Sequence, residues 1–138
     1  MRYYAVFDTN VLVSSLLTKH PDSPTARVVD AIADGRIVPL YSEEILSEYD
    51  EVLHRRKFPF STQRIMALLS MICQYGIAVS PSPTHAVLPD ADDIVFYEVV
   101  MEKRKEDDAY LITGNQRHFP VCDFIVTPAE MMALLEQH

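Results

Sequence analysis

The sequence predicts an α/β fold built on a mostly parallel sheet with helices on both faces. Short β-rich runs alternate with longer runs of helical periodicity along the chain, as consecutive βα units require. At 138 residues the chain matches one ordinary domain, able to bury roughly two thirds of the surface its unfolded form exposes. Residues 1–138 are therefore expected to form a single domain that needs no staple.

The first strand is the apolar run from Tyr3 to Phe7, which ends on Asp8-Thr9-Asn10 before a second apolar run opens a helix over 10–17. The prolines of "TKHPDSP" (18–24) break regular structure, and a helix is expected over 24–34. "IVPLY" (37–41) reads as the second strand. Pro39 removes a ladder donor within it, so this strand should be short or locally irregular.

A helix over 43–56 carries Ile45, Leu46, Tyr49, Val52 and Leu53 on one stripe, within an arc of roughly 120° at about 100° per residue. A helix over 62–75 and a strand at 77–79 follow. The proline-rich "SPSPTHAVLPDADD" (80–93) reads as loop and leads into a helix over 93–105 that is apolar almost all round, hence buried. Strands at 109–113 and 124–126 and a helix over 128–136 complete the alternation.

Composition narrows the function classes. Twenty acids against twelve bases give a formal net charge of −8, which argues against a general nucleic-acid coat protein but not against an enzyme that holds phosphate through a metal. The three glycines, Gly35, Gly76 and Gly114, are spaced so that neither a P-loop nor a G-x-G-x-x-G turn can be written. Cys73 and Cys122 form no C-x-x-C pair and lie in apolar surroundings as small hydrophobes, which points to a reducing cytoplasm. No apolar run approaches the roughly 20 residues of a bilayer span, and Asp8 and Asn10 interrupt any signal-peptide layout. A soluble, unexported chain is expected.

Four polar clusters carry the chemistry. Asp8 or Asn10 either caps the helix that begins near Val11 or is a working group. In "SEEILSEYDEVL", Glu48 and Asp50 sit at the margins of the apolar stripe, while Glu43, Glu44 and Glu51 point outward for solubility. "DADDIVFYEVV" sets Asp90, Asp92 and Asp93 before a helix. There they either favour the dipole or hold a divalent cation against their mutual repulsion. "AYLITGNQRHFP" ends a strand on Thr113-Gly114-Asn115, where glycine lets the backbone turn and leaves Asn115 over the strand end.

Together these clusters place Asp8, Glu48, Asp92 or Asp93, and Asn115 at one edge of a parallel sheet, where open α/β sheets bind ligands. Hard oxygen ligands of this kind suit Mg²⁺ or Mn²⁺. His20, His54, His85, His118 and His138 are scattered and read as structural or surface groups.

In the segments "VFDTNVLVSSLL", "LYSEEILSEYDEVL", "DADDIVFYEVV" and "AYLITGNQRHFP", in that order and spacing, the chain resembles the PIN domain family. Within it, the closest resemblance is to the VapC-type toxin components of toxin–antitoxin pairs. The resemblance implies a three-layer α/β/α sandwich. It identifies Asp8, Glu48 and Asp93 with the family's three acids, Asp93 being placed by the apolar Phe96 three positions on. Asp92 is the alternative, and Asp90 belongs to the same acidic loop. Asn115 stands where much of the family carries aspartate, so one well-held ion is expected and a second is not.

The function expected is metal-dependent hydrolysis of RNA phosphodiesters, with Mg²⁺ or Mn²⁺ on Asp8 and Asp93 and on Glu48 directly or through water. Thr9, Asn10 and Thr113 would orient the carboxylates. "HRRK" (54–57), with Arg55, Arg56 and Lys57, and Arg117-His118 are candidate phosphate contacts, whereas "KRK" (103–105) reads as a solvated helix end. Two rival readings remain. One is an aspartyl phosphotransferase, against which Asn10 stands where a second aspartate is usual, and the other is a PIN-like scaffold with weakened metal affinity. By resemblance the partners are a small antitoxin and a second copy of the chain, for which the methionine- and tyrosine-bearing helices have apolar residues to spare.

Overall fold

The computed structural model describes residues 2–137, so His138 lies outside the described residues. Five strands form one sheet: β1 (Tyr3–Phe7), β2 (Ile37–Tyr41), β3 (Ile77–Ala78), β4 (Ala109–Ile112) and β5 (Ile125–Val126). Their order is β3-β2-β1-β4-β5, and every adjacent pair is parallel. Six helices accompany them: α1 (Thr9–Leu17), α2 (Pro24–Ala33), α3 (Glu43–Leu53), α4 (Thr62–Tyr75), α5 (Ile94–Lys103) and α6 (Pro128–Glu136). The expected α/β class and all eleven elements are present, with ends shifted by up to three residues.

Local chemistry explains where the helices start. Ser23, Ser42 and Ser61 each accept a backbone N–H three residues on, and Thr127 forms a capping box with Glu130. Pro24 and Pro128 occupy first-turn positions where no donor is lost. α3 stops at Leu53 rather than continuing to 56, because His54 takes the cap and the chain turns at once, with Phe58 N–H donating to Arg55 O at 3.0 Å.

The core lies between sheet and helices. Ala5, Val6, Phe7, Leu111 and Ile112 of the central strands are buried with Val28 and Ile32 of α2, Ile65 and Ile72 of α4, and Phe96, Val99 and Val100 of α5. α2 and α4 pack on β2, and α6 packs on α2. The run from β3 back past β2 and β1 to β4 reverses direction. The chain then crosses to the other side of β1, and α5 packs on β1, β2 and β4. α3 touches α1, α4 and α5 and so spans the end of the sheet.

Pro39 does not make β2 irregular. The strand continues past it: pairing with β1 reaches as far as Pro39, opposite Ala5, and pairing with β3 begins only beyond it, at Leu40 and Tyr41. The shortness falls on β3, the exposed edge strand. Gly76 is needed there because the backbone passes tightly: a Cβ at this position would lie 2.4 Å from the carbonyl oxygens of Ile72 and Pro39.

Two expectations are corrected. The "KRK" segment is not a solvated end. Lys103 is buried, with Nζ 4.5 Å from the Tyr4 ring centroid and 3.1 Å from Asp107, and Arg104 donates to Ala109 O at 2.7 Å while lying over Phe124. Both long stems cover apolar rings while their heads find partners, and only Lys105 is solvated. Cys73 is exposed on α4 rather than set among apolar groups, because it follows Ile72, which takes the core position.

Candidate functional site

The order of the sheet changes direction between β1, which leads to β2, and β4, which leads to β5. The connections therefore part at this point and leave a crevice beyond the carboxyl ends of the two strands. Asp8 follows β1 and Thr113 follows β4, in register, with Asp8 N–H donating to Ile112 O at 2.9 Å.

Asp8 is 5 % exposed, and although it occupies the N-cap position of α1, its side chain makes no capping hydrogen bond. It instead accepts the Thr113 hydroxyl at 2.7 Å and Asn10 Nδ2 at 3.3 Å. Asn10 Oδ1 in turn accepts Gly114 N–H at 3.3 Å, and Thr113 Oγ1 accepts Asn115 N–H at 2.9 Å. A small network thus ties the β4 turn to the Asp8 carboxylate. The turn does not depend on glycine's freedom, since Gly114 has no positive φ and a Cβ there would make an ordinary 3.6 Å contact with Asn10.

The other acids arrive on helix ends. Asp93 occupies the N-cap position of α5 without a side-chain capping hydrogen bond, after a 3-10 turn over Ala91–Asp93 that Asp90 starts by accepting Asp92 N–H at 3.0 Å. The preceding loop is strapped to α5, with Thr84 N–H on Glu98 at 2.8 Å and Ser82 N–H on Glu102 at 3.2 Å. Glu48 is half-buried on α3, beside Tyr49, whose hydroxyl donates to Phe7 O and whose ring stacks on Phe96 of α5. This buried tyrosine fixes α3 to β1 and α5 together.

Burial pushes the Asp8 carboxyl up, and the Thr113 hydroxyl works against that rise. Burial also pushes Asp93 up to about 6, with the negative charge of Asp8 adding to it. Glu48 rises through burial and the charges of Glu51, Asp92 and Asp8, with Arg55 opposing. The charge of Asp8 thus bears on both Asp93 and Glu48. Asp93 feels Asp8, while Asp92 faces Glu48.

A PIN domain family model matches residues 4–117. The chain belongs to the PIN domain family. No curated protein matches it. PIN domains are generally nucleases that bind divalent metals, and the donors of this PIN domain fit such an ion. Ligand atoms of Asp90, Asp93 and His118 lie within 4.8 Å of one another. Hard oxygens that are costly to ionise alone are relieved by a hard cation.

His118, expected as a structural or surface group or, with Arg117, as a phosphate contact, instead meets an acid: its Nδ1 lies 3.1 Å from Asp93 Oδ2, because a 3-10 turn over Gln116–His118 folds it back from β4. A residue in so short a turn carries no periodic signal by which this could be read. The remaining predicted residues divide. Asn115 is exposed at the turn and only its backbone N–H enters the network. Thr9 is buried with no hydrogen-bond partner on Oγ1, so it acts on the Asp8 carboxylate through its backbone N–H and not through its hydroxyl. Arg55 pairs with Glu51 at 3.1 Å, Arg56 and Lys57 are exposed, and Arg117 lines a cavity of about 450 Å³ with Phe119 and Val121, to whose lining none of the acids contributes. No helix among the described residues is long and apolar enough to cross a membrane.

Proposed function

We propose that this PIN domain is a metal-dependent endoribonuclease, the toxin of a toxin–antitoxin pair. The observation that supports it is that burial pushes up the carboxyls of Asp8, Glu48 and Asp93 alike, and that the charge of Asp8 adds to the rise of the other two. Acids held together at such a cost repel a phosphodiester, and a cation reverses that sign. Mg²⁺ or Mn²⁺ would be held by Asp8 and Asp93, with Glu48, Asp90, Asp92, His118 and Asn115 at its margins. When bound, the ion would supply charge for phosphate oxygens and lower the proton affinity of a water.

The chain's own residues do the rest. Thr113 and Asn10 hold the Asp8 carboxylate in one orientation. His118 steadies Asp93 and can carry a proton at Nδ1 or Nε2. Arg55, Arg56, Lys57 and Arg117 would receive backbone phosphates on either side of the crevice. The reading includes residues 1–138 acting as one domain in the cytoplasm, pairing with a second copy, and being held inactive by a small antitoxin over the crevice.

The test is cleavage of a mixed RNA pool with Mn²⁺, with Mg²⁺ and with chelator, for the wild type and Asp8→Asn. Cleavage with the wild type and metal only is expected. Wild-type rates in Asp8→Asn would sink the reading, and cleavage of neither RNA nor its DNA equivalent would favour a binding module.

A further inference from the structure

The charge on this chain is unevenly placed. Residues 52–89 hold four of the twelve Lys and Arg residues and none of the twenty acids. Three of those bases are consecutive, Arg55-Arg56-Lys57, in the loop between α3 and α4, and the fourth, Arg64, lies in the first turn of α4. In an otherwise strongly acidic protein this loop is a local positive patch.

Aromatic rings lie among these charges. Phe58 and Phe60 stack with centroids 5.3 Å apart and planes 11° from parallel, and both are half-buried rather than sealed in the core. Lys57 Nζ lies 5.2 Å from the Phe58 centroid and the Arg64 guanidinium 5.7 Å from that of Phe60. Arg64 also donates to Leu16 O at 3.1 Å, which anchors the loop to the end of α1. Arg56, Lys57 and Arg64 form no ion pair among the described residues. The patch follows directly on α3, the helix that carries Glu48, and Arg55 at its start pairs with Glu51 of that helix at 3.1 Å.

We propose that Phe58 and Phe60, with Arg56, Lys57 and Arg64, form a docking platform for a single-stranded stretch of nucleic acid that runs away from the acidic crevice. An unpaired base can stack in place of the flexible Lys57 ammonium that lies over the Phe58 ring, and the displaced Lys57, with Arg56, then takes the phosphates. A duplex presents its bases only to one another, so the rings select single strands. An acidic protein segment would use the same cations but would gain nothing from the flat rings. The proposal rests on the nuclease reading for its substrate class, and it adds a second point of attachment outside the cleavage site.

Binding is read without cleavage. Asp8→Asn protein in chelator is titrated, by fluorescence anisotropy, with a labelled oligouridylate of about twelve nucleotides and with a duplex of equal length. Phe58→Leu/Phe60→Leu keeps the apolar bulk and should raise Kd for the single strand about tenfold, whereas Phe58→Tyr/Phe60→Tyr should stay within about twofold. Arg56→Gln/Lys57→Gln, both exposed, should weaken binding and reduce the salt slope by about 1.4. The duplex should bind less well and ignore the leucine variant. Unchanged single-strand affinity in the leucine variant overturns the proposal. So does polyglutamate displacing the oligonucleotide as effectively from the wild-type rings as from the leucine pair, which would mark an acidic-protein surface. Failure of Mn²⁺-dependent cleavage in the wild type would remove the nuclease reading and leave this binding result standing.

Discussion

The Thr113 hydroxyl donates to the Asp8 carboxylate at 2.7 Å, joining residues 105 positions apart across the two central strands. Both side chains are buried, so this hydrogen bond is charge-assisted in a poorly solvated place. Thr113→Val keeps the shape and deletes the donor. The expected outcome is a loss of roughly 1–3 kcal/mol in urea unfolding and a fall of about tenfold or more in metal-dependent cleavage, with Thr113→Ser retaining most of both. Full activity in the valine variant would show that Asp8 needs no such orientation.

Asp8→Asn should separate function from stability. Burial and the neighbouring Asp93 disfavour the Asp8 charge, so removing it relieves the metal-free protein. Thermal unfolding in chelator should rise by roughly 3 °C, on the order of 1 kcal/mol, while the Mn²⁺-induced shift disappears. A variant that melts lower in chelator and still responds to Mn²⁺ would contradict this account.

The pH dependence follows from Asp93, whose carboxyl is raised from 3.8 to about 6 in the folded chain. The folded state holds that proton more tightly than the unfolded state. Its contribution to stability is therefore fully present below 3.8 and lost as pH rises through about 6. A bound cation favours the ionised form and opposes that loss. The Mn²⁺-dependent rise in Tm should be large near about pH 7.5 and small near about pH 5, with cleavage falling on the acid side of about 6. Equal shifts at both pH values would place the ion elsewhere.

Tyr49 offers a control that touches no carboxylate. Tyr49→Phe leaves the Phe7 carbonyl without its hydroxyl donor inside the core, and roughly 1–2 kcal/mol of stability should be lost in urea unfolding. The Mn²⁺ midpoint should move less than in Thr113→Val, because the ring still stacks on Phe96 and holds α3 in place. A larger shift than in Thr113→Val would mean that the hydroxyl, not the packing, positions Glu48.

Local patterning alone determined the element order, the parallel sheet and the edge on which Asp8, Glu48, the aspartates at 90–93 and Asn115 would gather. These follow from apolar periodicity and from acids set at strand ends and helix starts, which a chain carries in its nearest neighbours. Whether Asp8 caps α1 or faces the crevice could not be read locally, because the partner that decides it, Thr113, is supplied by another strand. The approach of His118 to Asp93, the burial of Lys103 and the pairing of Phe58 with Phe60 were equally hidden. Each depends on where a turn sends a side chain after the sheet has formed, and a polar residue in a turn has no period by which its direction can be read. Burial then set the electrostatics: removing water raises the cost of every charge in the crevice, and only the packed sheet and helices remove it.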